Sequence, residues 1–185
     1  VAARERGVQP RQRRARDAEH GGHAELDDEV DHVLVDRRSA IGERGREFGT
    51  VTGRKRRCGW FDAVATKYAA ELNGFNSVAL TKLDVLDALE EIKVCVGYEI
   101  DGERIDTFPA VSQDLRQIVP VYETLEGWKS ETLGMTKIKD LPEKARRYVD
   151  FLSAAIGVEI GLISTGPERD QTIILKDSVM EGWFR

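Results

Sequence analysis

The most specific chemistry in the sequence lies in four residues, Thr81-Lys82-Leu83-Asp84. They follow an uncharged apolar run, Val78-Ala79-Leu80, which predicts a strand buried on both faces. The tetrapeptide then falls at the strand's carboxyl end, where open α/β sheets bind ligands. A carboxylate there accepts hydrogen bonds from a guanine edge, from N1–H and from the 2-amino group. The aliphatic stem of a lysine two residues earlier lies flat on a purine face. If the base is read here, its binding is expected to be lost in Asp84→Ala and to tolerate Asp87→Ala. The other open reading is a strand end with Asp84 capping the next helix.

A second constellation is Thr50-Val51-Thr52-Gly53-Arg54-Lys55-Arg56-Arg57. Glycine lets the backbone approach a ligand. The threonine hydroxyls and free amides suit a carboxylate, and the arginines clamp carboxylate or phosphate through paired donors. Adjacent cations repel one another, so an anionic partner fits; an exposed basic turn also fits. A third is Ser164-Thr165-Gly166-Pro167, a polar turn after an apolar segment. Its amides at Thr165 and Gly166 would suit a purine oxygen, and an ordinary turn stays open too.

Several elements must position these groups. Cys58-Gly59-Trp60-Phe61 is apolar and anchors the basic loop to the core. Asp62 reads as an N-cap, Ala63, Val64, Tyr68, Ala69 and Leu72 as one helix face, and Gly74 as the stop. A short helix is expected from Val85 to about Glu91. Lys93 to Ile100 alternates like a strand, Asp101-Gly102 signals a hairpin turn, and Arg104 to Phe108 returns. Ser112 to Gln117 reads as a turn or two of helix. Ile118 to Glu123 reads as an edge strand because of Pro120. A polar loop runs from Gly127 to about Lys139. A helix follows with Asp140 as cap, Ala145, Tyr148, Phe151, Leu152 and Ala155 as its stripe, and Gly157 as its end. Val158 to Ile163 and Thr172 to Leu175 are the last strands, and Trp183-Phe184 is expected to pack the tail down. Helix, strand and ligand loop in alternation indicate an α/β fold. The expectation is a mostly parallel sheet with flanking helices and an antiparallel hairpin near 93–108, whose strand ends at 81 and 164 meet at one ligand.

The chain has 185 residues and a net charge of −5. That length suffices for one core, and the charge argues against nucleic acid as the partner of the whole protein. The two cysteines, Cys58 and Cys95, make no metal spacing and fit a reducing, cytoplasmic setting. No apolar run approaches the roughly 20 residues of a bilayer span. Residues 1–40 differ from the rest: arginines crowd the start, acids follow, and aromatics are absent. Such a stretch buries too little surface to offset its ordering entropy. It reads as a disordered tail or as sequence not native to the protein, and residues 41–185 as the folded part. His20, His23 and His32 lie in it without a convincing ligand set.

Taken together, the chain from about Gly42 onward resembles adenylosuccinate synthetase. The carrying stretches are Arg46 to Asp62, Leu80 to Asp87, Val121 to Trp128 and Ile163 to Arg169. The resemblance implies the C-terminal half of that family's fold. It implies an enzyme that joins IMP to L-aspartate and hydrolyses GTP with Mg2+, in purine (AMP) biosynthesis. There the IMP 6-oxygen is phosphorylated first, and the aspartate amine then displaces the phosphate. Residue by residue, Thr50, Val51, Thr52, Gly53, Arg54, Lys55 and Arg56 correspond to the aspartate loop. Val51 stands where some relatives have threonine. Arg54 also corresponds to an IMP contact and Arg56 to a GTP contact. Lys82, Leu83 and Asp84 correspond to the guanine-binding stretch, and Ser164, Thr165 and Gly166 to a second guanine-contacting turn. The family's phosphate loop, catalytic Asp and His, magnesium ligands and the arginine exchanged across its homodimer belong to an N-terminal half with no counterpart here. The chain alone is therefore expected to be inactive. The alternative is a guanine-nucleotide-binding module without catalysis.

Overall fold

In the computed structural model, residues 39–109 and 117–184 are described. They open in helix α1 (39–44) and the basic loop, where Phe48 and Lys55 form an antiparallel bridge. Strand β1 (Phe61–Asp62) leads into helix α2 (Ala63–Asn73). Asp62 caps that helix as expected, accepting from the Ala65 amide at 2.9 Å, and Gly74 ends it in the left-handed conformation. The buried face is Ala63, Val64 and Ala70; Tyr68 and Leu72 are exposed, which corrects the face read from the sequence. Tyr68 instead stacks on Phe108 at 5.1 Å between ring centroids.

Two small sheets follow. In one, the long central strand β3 (Glu91–Ile100) pairs parallel with β1 and antiparallel with β4 (Glu103–Ile105) and β5 (Val119–Glu126). The β3–β4 hairpin turns at Asp101-Gly102, as the sequence indicated. Pro120 lies on β5, which among the described residues pairs only with β3 and forms an edge. In the other sheet, β2 (Ser77–Leu80) pairs parallel with β6 (Glu159–Ser164), and β6 pairs antiparallel with β7 (Thr172–Ile174).

The α/β class holds. The balance of directions does not: among the described residues the ladders are three antiparallel to two parallel, in two sheets rather than one. β4 turns back on β3 through a tight hairpin and β7 turns back on β6, while β5 returns antiparallel to β3 after a longer connection. Nor is β2 buried on both faces. Ala79 is exposed and its neighbours are half-buried, because β6 covers one edge and no described strand covers the other.

Helix α3 (Glu143–Ile156) packs beside α2 and beneath β6. Its buried residues are Ala145, Tyr148, Val149, Leu152 and Ile156, the i, i+3, i+4 stripe of an amphipathic helix. Asp140 is exposed and does not cap it. A 3-10 turn, Ile138–Asp140, intervenes, and Pro142 takes the cap position. The tail is held by buried Met180, whereas Trp183 and Phe184 are exposed, contrary to expectation. The helical turns expected at 112–117 fall almost wholly outside the described residues, as does the charged segment 1–38. No described helix is long and apolar enough to cross a membrane.

Candidate functional site

Strand register decides whether the polar strand ends meet. Leu80 pairs with Ile163 in the parallel β2–β6 ladder, so Thr81 and Ser164 follow at the same end of that ladder. The stretch Lys82-Leu83-Asp84 and the turn Ser164-Thr165-Gly166 therefore sit at one sheet end. After β2 the chain makes no α-helix. A single 3-10 turn, Leu83–Leu86, replaces the expected helix from Val85, and Asp87 turns inward at its end.

Lys82 adopts φ 61°, ψ 41°, a conformation unusual for a residue with a side chain. Its ammonium holds it there, donating to the Gly45 carbonyl at 2.7 Å and pairing with Glu47. Asp84 caps no helix, so the capping alternative fails. One carboxylate oxygen, Oδ1, is buried without a hydrogen-bond partner. Burial first, and then the neighbouring Asp87 charge, raise the Asp84 pKa above its ordinary 3.8, partly offset by its own backbone amide and then by Arg44 and Lys82. A buried acceptor left open is costly, and native proteins rarely keep one without a use.

Asp87, given no part in reading a base from the sequence, is a structural centre. It is only 4% exposed and accepts from Trp128 Nε1 at 2.6 Å, the Thr132 amide at 2.7 Å and the Thr132 hydroxyl at 2.8 Å. Arg44 approaches it at 3.8 Å. Nothing local in the sequence indicates these partners, which lie some forty residues away.

The second turn is partly occupied by its own fold. The Thr165 amide donates to the Gln171 carbonyl at 2.9 Å and its hydroxyl to the Met135 carbonyl at 2.8 Å. The amide is thus not free for a purine oxygen, as the sequence reading had it. Ser164 donates to the Gly166 carbonyl at 3.0 Å, which tightens the turn. An added Cβ at Gly166 would meet the Gln171 and Leu133 side chains, which would have to shift to admit it.

In the basic loop, Thr50, Val51, Thr52, Gly53 and Arg54 form an exposed tip. The tip is closed by Gly49 N–H donating to the Arg54 carbonyl and Gly53 N–H to the Gly49 carbonyl, each at 2.8 Å. Gly53 takes φ 64°, which the turn needs. Lys55 pairs with Glu43 at 2.9 Å and Arg56 with Glu47 at 3.1 Å. The guanidinium groups of Arg54 and Arg57 meet no acceptor among the described residues. Glu47, assigned no role from sequence, joins two parts of the site. Its carboxylate takes Lys82 on one oxygen and Arg56 on the other, and the Lys82 hydrogen bond holds its pKa below the usual 4.5. A hollow of about 310 Å³ beside Lys55, Arg56 and Arg57, and one of about 200 Å³ beside Trp60 and Lys82, both have Glu47 in their walls. Asp84 and Ser164 line neither hollow; strand register alone brings those two stretches together.

A family model described as Adenylosuccinate synthetase matches residues 20–173. The chain belongs to the adenylosuccinate synthetase family. It is 54% identical over 136 residues to the organellar chromatophore adenylosuccinate synthetase of Paulinella chromatophora, covering 74% of this chain and 31% of that protein. It is 51% identical over 155 residues to the adenylosuccinate synthetase of Nostoc punctiforme, covering 84% and 33%. A fully ligated adenylosuccinate synthetase from Plasmodium falciparum has the same fold, with a TM-score of 0.73 at 35% identity, covering 76% of this chain and 34% of that one. The chain thus spans about a third of the length of the adenylosuccinate synthetases it matches. The family match begins at residue 20, inside the charged segment that composition sets apart up to residue 40.

Proposed function

We propose that this chain carries the base-reading part of the GTP site and the aspartate loop of an adenylosuccinate synthetase, a GTP-dependent ligase joining IMP and L-aspartate. The carrying observation is the open, buried Oδ1 of Asp84 at a sheet end shared with Ser164. Asp84 accepts guanine N1–H and the 2-amino group. Lys82 and Leu83 lie along the base, and Ser164, Thr165 and Gly166 bound it from the neighbouring strand end. Thr50 to Arg56 form the aspartate loop. Arg54, whose guanidinium has no described acceptor, meets aspartate and IMP, and Arg56 meets GTP. The family's use of magnesium is carried over as a proposal for the intact enzyme, as are its homodimer and a cytoplasmic location. Among the described residues no three carboxylate, thiol or imidazole groups converge, and the proposal gives none of them a part in holding the ion.

Calorimetric titration of the 185-residue chain with GDP, IDP and ADP tests the base site. The expected order places GDP ahead of IDP, which lacks the 2-amino group, and ADP last. Equal affinities, or no binding, would remove the guanine reading. A separate assay with IMP, aspartate and GTP is expected to show no turnover, since phosphoryl transfer depends on positioning and charge stabilisation around the phosphates. GDP preference without turnover matches both a part of the ligase and the non-catalytic binding module. Turnover regained on adding the rest of a relative's chain would favour the ligase.

A further inference from the structure

We propose that the loop 127–135 is the positioning element of the base site, and that Thr132 and Trp128 act through Asp87 to set where Asp84 stands. The inference rests on the guanine reading above. Its basis is where the interior is polar. Among the described residues the buried polar side chains are Asp87, Thr132 and Thr165, and all three belong to this one connection. At one end, Trp128 Nε1 and both donors of Thr132 bind the Asp87 carboxylate at 2.6–2.8 Å. At the other, the Gly134 amide donates to the Thr165 carbonyl at 3.2 Å, and the Thr165 hydroxyl to the Met135 carbonyl at 2.8 Å.

Leu133 lies between these ends, so close to Gly166 that an added Cβ there would come within 2.9 Å of it. The loop's start is also fixed: the Gly127 amide donates to the Glu90 carbonyl at 2.7 Å, and a Cβ at Gly127 would collide with the Leu89 carbonyl. The loop thus bridges the two turns assigned to the base. Asp87 transmits its position directly, since its amide closes the 3-10 turn on the Asp84 carbonyl at 3.3 Å. Apolar side chains would fill the same space without the cost of burying polar atoms, but they would not fix direction. Hydrogen bonds to a carboxylate do.

Two variants of the full chain test this. Thr132→Val keeps shape and removes one donor; Trp128→Phe keeps a ring and removes another. Hydrogen exchange is measured without nucleotide. The expected result is that the amides of Asp87, Gly134 and Thr165 exchange at least about fivefold faster in both, while the β3–β5 ladder keeps its rates. Calorimetry is then expected to show the GDP-over-IDP preference reduced about fivefold or more, with IDP affinity changed less. General destabilisation would speed all amides together and weaken both nucleotides alike, which would overturn the proposal. Unmoved rates at Gly134 and Thr165 in both variants would also overturn it, as would moved rates with the base preference intact. If the wild-type chain shows no preference for GDP, the guanine reading fails by itself. The exchange rates then still judge the link: coupled rates uphold it between the two turns, and unmoved rates overturn it.

Discussion

Asp87→Ala is expected to cost about 3–5 kcal/mol of folding stability, enough to unfold much of a domain of this size. The substitution deletes an acceptor that is 4% exposed and serves three donors. Trp128 Nε1 and both donors of Thr132 would then face a dry cavity, and each unsatisfied buried group costs about 1–3 kcal/mol. Arg44 would lose its counter-charge as well. Asp87→Asn should cost less, because its amide oxygen still accepts, although its NH2 group opposes donors. Urea denaturation followed by tryptophan fluorescence measures both, and Trp128 reports directly on the altered site. An Asp87→Ala midpoint equal to wild type would show that the hydrogen bonds around this carboxylate contribute little.

Asp84→Asn is expected to do the reverse, leaving the fold intact and changing what binds. An Asn oxygen still accepts guanine N1–H, but its NH2 meets the 2-amino group donor to donor. GDP affinity should fall about 100-fold or more. The same NH2 can donate to the 2-oxygen of xanthine, so XDP should become the better ligand. Preference for GDP surviving this change would mean that Asp84 does not read the base. Stability should move the other way. Burial and Asp87 raise the Asp84 pKa above 3.8 in the folded chain, so the folded state holds that proton more tightly. Its contribution is fully present below 3.8 and is lost as pH rises through the folded value. Denaturation midpoints of wild type and Asp84→Asn, compared from acid towards neutral pH, should therefore diverge in favour of the variant. Convergence with rising pH would contradict the sign.

These paired outcomes mark a boundary in what residue order reveals. Asp84 and Asp87 are the same residue type, three residues apart, in one short stretch. The sequence reading assigned the base to Asp84 and no part in reading it to Asp87. The structural role of Asp87 was not visible there, because its partners, at 128 and 132, arrive from another part of the chain. Glu47 was passed over for a similar reason: its two cations come from Lys82 and Arg56, on either side of a folded loop.

Local chemistry was legible at several places where the deciding partner lies within a few residues. The Asp62 cap, the Gly74 and Gly157 helix ends, the Asp101-Gly102 hairpin and the edge position of β5 all follow from backbone rules acting over a turn or a ladder. Family membership was legible as well, because several short motifs occur in the right order. Tertiary packing alone determined that Tyr68, Leu72, Trp183 and Phe184 face outward, that Val78 to Leu80 line an open sheet edge, and that the sheet divides in two. Burial depends on which surface arrives from elsewhere in the chain, and apolar character alone cannot say whether any does.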